Sequence, residues 1–392
     1  MSVSKFIIKS LLKPLRGQKK ASGFTLLELL IGLALTFVIV TPIMTLAISF
    51  MNNDRQEQAK NASQQDIQAA LDYIAQDLQQ AVYVYDTAAL SNSHDGTDPA
   101  NSGIKNQIPP SSGADSCQDE ANCTPVLAFW KRKYLDRDDT VKDPVTDASV
   151  TFQETINGNP VKSDSFVYSL VVYYLIKPAP SDTTWSKVNR IGRFEINGGV
   201  IDPSLDTDPP TYKLNPDKGF APFDLGASPG KIRQSMNSWK KKGTDSYTQP
   251  VLTLVDYIDN TPIIDFDNAG VTPSITPPGN DTTDAEGNPA STVCGGQTGQ
   301  TVDTDGNLIR ASSRVPPDGT EDTGSFYACV NPVNAQGQSV VQVFLRGNAL
   351  ARLSKDATTW QINAENKQKQ MINRPLASVR VAVRGLLNEQ TE

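Results

Sequence analysis

One carboxylate stands where a carboxylate is expensive. Glu28 borders the run Leu29–Met51, which contains no charged residue and whose only polar side chains are Thr36, Thr41, Thr45 and Ser49. At the edge of an apolar span an ionised carboxylate needs a partner, so its chemistry is charge compensation rather than proton transfer. The other reactive types are sparse. The four cysteines, Cys117, Cys123, Cys294 and Cys329, are even in number and suit disulfides in an oxidising compartment. Three pairings exist, and Cys117–Cys123 with Cys294–Cys329 is the simplest. Zinc is disfavoured: there is no C-x-x-C, and the single histidine, His94, lies in a polar loop. With that lone histidine no Ser/His/Asp or Cys/His set forms, and no phosphate-cradling glycine loop appears. The chain reads as a non-enzyme without a cofactor.

Two weaker patterns remain. Asp303 and Asp305 in Val302-Asp303-Thr304-Asp305-Gly306-Asn307 alternate like calcium-loop ligands, with Asp265 and Asp267 a second pair. The bidentate glutamate expected further along is missing, so a turn is the preferred reading and no metal site is assigned. Lys231, Arg233, Lys240, Lys241 and Lys242 flank Trp239. This reads as a solvated loop before it reads as a patch for an acidic glycan or a partner subunit.

The elements that position Glu28 follow from charge and period. Lys5, Lys9, Lys13, Arg16, Lys19 and Lys20 precede it without any acid. Removing those six charges from the net −7 leaves −13 for the chain after Gly23, which argues against nucleic acid as a direct partner. The apolar run is long enough for a helix to cross a ~30 Å hydrocarbon layer. The basic stretch keeps its start in the cytoplasm and exports the acidic bulk. A cleaved secretory signal would have a shorter apolar core. Pro42 bends or locally melts the helix, and the hydroxyls at 41, 45 and 49 form a stripe that satisfies carbonyls or contacts neighbouring helices. Polar residues follow Met51. An apolar stripe then returns at Ile67, Ala70, Leu71, Ile74, Leu78, Ala81 and Val82. One helix is therefore predicted from Phe24 to about Ala81, roughly 85 Å long.

The rest reads as β-rich. Strands are predicted at Val126–Trp130, Phe166–Ile176, Ile191–Ile196, Val251–Ile258, Val340–Leu345 and around Val379, Val381 and Val383. Loops rich in Ser, Asn, Asp, Gly and Pro are predicted over 87–124 and 272–323. The fold class is α+β: a long N-terminal helix, transmembrane in its first half, packed on an antiparallel sheet with large loop insertions.

Ser22-Gly23-Phe24-Thr25-Leu26-Leu27-Glu28 resembles the processing motif of type IV prepilins and pseudopilins. The resemblance implies cleavage by prepilin peptidase between Gly23 and Phe24, N-methylation of Phe24, and Glu28 as fifth mature residue, pairing with a neighbouring subunit's N-terminus. It implies a cytoplasmic leader over 1–23, a helix over 24–82 with its span at 29–51, and a periplasmic head over 83–392. The implied partners are the inner membrane, that peptidase and other pilins in a pilus or type II secretion-like filament. Ala70–Ala81 is similar to the helix end of PilW-type minor pilins and J-type minor pseudopilins. Arg346-Gly347-Asn348-Ala349-Leu350-Ala351-Arg352 resembles cyanobacterial pseudopilins of polysaccharide secretion. The competing expectation is a signal-anchored extracytoplasmic protein binding calcium or glycan, uncleaved at Gly23 and tolerant of Glu28→Ala.

Overall fold

The computed structural model describes residues 25–110, 117, 119, 121–136, 138–156, 159–162, 164–179, 182–202, 211–244, 246–261, 301–302, 308–309, 313–316, 324–331, 339–354, 356 and 372–383. The chain divides into two compact units, Met1–Arg55 and Gln56–Glu392.

Helix α1 runs over Leu26–Gln79, 54 residues without a break at Pro42. In the first unit every described residue is exposed, and the large apolar side chains from Leu26 to Met51 present 43–84 % of their surface. In the second unit Ala59, Ser63, Ile67, Ala70, Leu71, Ile74, Ala75, Asp77 and Leu78 are buried. Their spacings of three and four make one face of a helix. The predicted stripe is buried throughout, but the helix ends before its last two members. Ala81 and Val82 belong to strand β1, Ala81–Val84, because Val82-Tyr83-Val84 prefers extended backbone.

Four more strands complete a sheet in chain order: β2 Cys123–Leu135, β3 Ser165–Ile176, β4 Asn189–Asn197 and β5 Leu252–Ile258. Each neighbour pair is antiparallel. Strand β2 is longer than the predicted Val126–Trp130. Its cationic stretch continues the strand because side chains alternate: Lys131 reaches Asp77 on α1, while Arg132 lies over Phe166. A second antiparallel sheet follows, again in chain order: β6 Ser313–Val315, β7 Phe326–Asn331, β8 Ser339–Arg346 and β9 Leu376–Val383. The expected antiparallel sheet is thus present as two large sheets, accompanied by four two-stranded ones among the described residues. Strand β7 had no prediction, and β6 lies inside the predicted loop 272–323.

Both sheets and the second-unit part of α1 share one core. It joins Ile67, Leu71 and Ile74 to Phe129, Tyr173 and Phe194 of the first sheet and to Phe326, Val343 and Val381 of the second. The opposite face of the first sheet carries a layer of loop and short helix. There α2, Thr87–Ser91, and α3, Ile232–Asn237, bring in Leu90 and Met236. Tyr85 Oη donates to the Met236 carbonyl at 3.1 Å, and Tyr247 Oη to that of Gln107 at 2.6 Å. The described part of loop 87–124 is accordingly packed, with Ile104 and Ile108 fully buried.

Candidate functional site

The first turn of α1 is organised by Thr25. Its Oγ1 accepts from the Glu28 N–H at 3.2 Å, and its carbonyl accepts from the Leu29 N–H at 3.1 Å. This is the backbone half of a T-x-x-E capping arrangement, and it fixes Glu28 at the third helical position. Glu28 is exposed, and its charge sits at the positive end of the helix dipole. The site therefore presents one carboxylate, held by a capped turn, at the head of an uncharged apolar cylinder. Gly23 and Phe24 lie outside the described residues.

The threonines in the span satisfy themselves. Thr36 Oγ1 donates to the Gly32 carbonyl at 2.7 Å, Thr41 Oγ1 to that of Phe37 at 2.8 Å, and Thr45 Oγ1 to that of Thr41 at 2.6 Å. None reaches the Val38 carbonyl, which Pro42 deprives of its usual donor. Of the stripe, Thr41 and Thr45 thus bond one turn back along their own helix, the local backbone capping that stands as the alternative to relief of the proline. The helix is continuous across Pro42, so of the two expected effects, a bend or local melting, melting does not occur.

In the second unit two buried ionic clusters hold the elements together. Asp77 is the charged member of α1's buried face. Lys131 Nζ donates to its Oδ1 at 2.9 Å, and Tyr173 Oη and Arg193 Nε to its Oδ2 at 2.7 and 2.8 Å. Glu195 completes the balance, 3.1 Å from Lys131 and 2.7 Å from Arg193. Burial pushes the Asp77 carboxyl up, but the Arg193 and Lys131 charges and hydrogen bonds outweigh it and hold its pKa below the ordinary range. Glu195 is lowered by the same balance. The motif Leu71-Asp72-Tyr73-Ile74-Ala75-Gln76-Asp77-Leu78 carried the signal for this site: an acid on an apolar stripe requires buried cations opposite.

The second cluster centres on Asp259, just after β5. Arg346 Nε donates to Oδ2 at 2.9 Å, Arg374 Nε to Oδ1 at 3.0 Å, and Thr261 Oγ1 to Oδ1 at 2.8 Å. The Arg346–Arg352 stretch singled out in the sequence is a joint between α1 and both sheets. Gly347 bridges Ile258 and lies against Ser63, while Arg352 pairs with Asp66 and stacks 4.4 Å over the Tyr257 ring.

The remaining candidates separate. Cys117 and Cys123 form a disulfide beside the start of β2. Cys329, on β7, is also disulfide-bonded, and Cys294 lies outside the described residues. So do Asp265, Asp267, Asp303 and Asp305. His94 donates its backbone N–H to Asn106 Oδ1 at 2.7 Å; burial and Lys240 push its imidazole toward the neutral form. In the basic patch Lys231, Arg233, Lys240 and Lys242 are exposed, as the solvated-loop reading expects, whereas Trp239 and Lys241 are buried. Trp239 is buried, with Nε1 donating to the Ala221 carbonyl at 2.8 Å; Lys241 lies 4.7 Å from the Tyr247 ring; Arg233 pairs with Asp86 at 2.7 Å. Apolar Ile232, Met236 and Trp239 between the cations pull the segment into the core. Among the described residues no group of three or more His, Cys, Asp or Glu is placed to hold a metal ion.

The family model described as the prokaryotic N-terminal methylation motif matches residues 18–44. No curated protein and no solved structure matches the chain. The matched segment contains the capped first turn, Glu28 and the first part of the exposed apolar helix, and it supports a type IV pilin-like protein anchored by that helix.

Proposed function

We propose that the chain is a minor pilin or pseudopilin, a structural subunit that joins or primes a type IV pilus or a type II secretion-like filament. The observation that carries this reading is the coincidence of the methylation motif with a helix that is apolar, exposed and uncharged from Leu29 to Met51 behind one carboxylate. The leader 1–23 is removed by prepilin peptidase on the cytoplasmic side. Phe24 then becomes an N-methylated terminus, and Glu28 neutralises the terminal amine of a neighbouring subunit. In apolar surroundings such a pair is far stronger than at a wet surface. The head, released into the periplasm, is bulky for a closely stacked shaft, which favours a tip or near-tip position. The likeness of Ala70–Ala81 to PilW-type and J-type helix ends supports the minor class. The Arg346–Arg352 likeness to polysaccharide-secretion pseudopilins has less weight, because Arg346, Gly347, Asn348 and Arg352 all serve internal contacts.

Mass spectrometry of the N-terminus, on protein from native membranes with and without the peptidase, tests the reading. A chain starting at methylated Phe24, lost without the peptidase, is expected. An intact leader in both backgrounds overturns it in favour of a signal-anchored binding protein. Uniform labelling along purified filaments would overturn the tip position alone.

A further inference from the structure

The first sheet carries an aromatic surface that the filament reading does not use. Helix α1 meets one face of this sheet, where Asp77 bonds to Lys131, Tyr173 and Arg193. Beyond Lys131, on the face away from α1, the sheet continues with Arg132, Tyr134, Phe166 and Tyr168. Tyr134 is directly opposite Phe166, and Arg132 directly opposite Tyr168. The three rings remain 47, 51 and 42 % exposed in the same unit whose other large aromatics are mostly buried.

The surface is pre-organised. Tyr134 and Phe166 rings lie 5.2 Å apart, and Tyr168 rests edge-on against Phe223 at 5.2 Å, joining the surface to the layer around Trp130. The Arg132 guanidinium is held 4.0 Å over Phe166. The Arg132 side chain is exposed, and its strand position is opposite Tyr168 and two residues before Tyr134, so its N–H donors belong to the same sheet face as the three rings.

We infer that this surface binds a neutral glycan chain, with pyranose C–H faces stacking on Tyr134 and Tyr168 and sugar hydroxyls accepting from Arg132. Area and charge select that occupant. A fully buried aromatic covers 150–250 Å², so three half-exposed rings offer about 300 Å². A stable protein partner needs about 800 Å² on each side. A polyanion meets the −13 charge of the chain after Gly23 and Asp136, Asp138 and Asp139 immediately beyond Tyr134. A neutral sugar has no such cost, and it meets donors and ring faces together. The surface would act in this way whether or not Gly23 is cleaved.

The test is calorimetric titration of the full-length protein in detergent micelles with neutral β-glucan, mannan and chitin-type oligosaccharides, and with a polygalacturonate oligomer. At least one neutral oligosaccharide is expected to bind more tightly than the uronate. Tyr134→Ala, Phe166→Leu and Arg132→Gln should each weaken it about fivefold or more, the equivalent of one aromatic contact. Phe166→Leu keeps apolar bulk on the strand, so an unchanged melting temperature separates lost stacking from lost folding. Absence of binding to all the neutral oligosaccharides, wild-type affinity in all three variants, or tighter binding of the uronate overturns the proposal. So does a change in sedimentation of Tyr134→Ala, which would make the surface a subunit contact.

Discussion

At the scale of single residues the molecule separates two kinds of carboxylate. Asp77 has its partners inside the chain: Lys131, Tyr173 and Arg193. Removing its charge leaves two buried cations with only Glu195 between them, a loss of about 3–5 kcal/mol by analogy with other broken buried pairs. Asp77→Asn is therefore expected to lower the denaturant midpoint strongly at pH 7. The pH dependence has a definite sign. The folded pKa of Asp77 lies below its unfolded value, so its stabilisation is complete above the ordinary carboxylate range and is lost as pH falls through the depressed folded value. The gap between wild type and Asp77→Asn should narrow below about pH 4. A constant gap from pH 7 to pH 3 would show that the charge is not the source. Glu28 is the other kind. It is exposed, and its compensation within the described chain is limited to the capped first turn and its dipole. On the proposed reading Glu28→Ala leaves cleavage at Gly23 intact and reduces the fraction recovered in sheared filaments. Equal recovery with normal processing would deny Glu28 its assembly role.

At the scale of elements the close approach of α1 to the second sheet depends on Gly347. A Cβ there would run into Ser63 Oγ and stand 3.3 Å from Ile67 Cγ2. Because Gly347 also bridges Ile258, the backbone cannot retreat without opening the joint between the sheets. Gly347→Ala is expected to cost about 1–3 kcal/mol, the usual range for overpacking. Ser63 Oγ is buried without a hydrogen-bond partner, so Ser63→Gly should recover part of that loss, although glycine inside a helix costs up to about 1 kcal/mol. A double-mutant cycle by denaturation measures the coupling, and strict additivity would mean that the two side chains do not meet. The same elements show what was legible in the sequence. Phe166–Ile176 and Val340–Leu345 are dense in β-branched and aromatic residues and emerge within a residue or so of their predicted bounds. Ala81–Val84 was hidden because Ala81 and Val82 also continue the helical period, and the extended preference of Val82-Tyr83-Val84 together with pairing to Phe129–Lys131 decides the matter. Phe326–Asn331 was hidden because its six residues abut a Gly- and Asp-rich stretch, and its strand character comes from β8 beside it. The ionic joints between elements depend on contacts far apart in the chain, as in Asp77–Lys131, Asp77–Arg193, Asp259–Arg374 and Asp66–Arg352. No local pattern encodes those.

At the scale of the whole molecule the chain joins two solubility regimes along one helix. The large apolar side chains from Leu26 to Met51 are exposed, whereas the shared core begins at Ile67 and draws on both sheets. Ala59 and Ser63 are the first residues of α1 to be buried. The described residues of the first unit are thus all exposed, while the buried face of α1 belongs to the second unit. The segment that needs an apolar environment is the one whose carboxylate the proposed assembly would neutralise. A fragment of residues 56–392 should accordingly remain folded and monomeric without detergent, and melt within a few degrees of the full-length protein held in micelles. Circular dichroism and gel filtration of the two species measure this. A fragment that aggregates, or that loses its cooperative transition, would show that the first half of the helix contributes to folding the head, and the division of labour between anchor and head would fail with it. Retention of the transition would leave the apolar half of α1 free for lipid and for neighbouring subunits, with the Glu28 carboxylate at the start of its uncharged run Leu29–Met51.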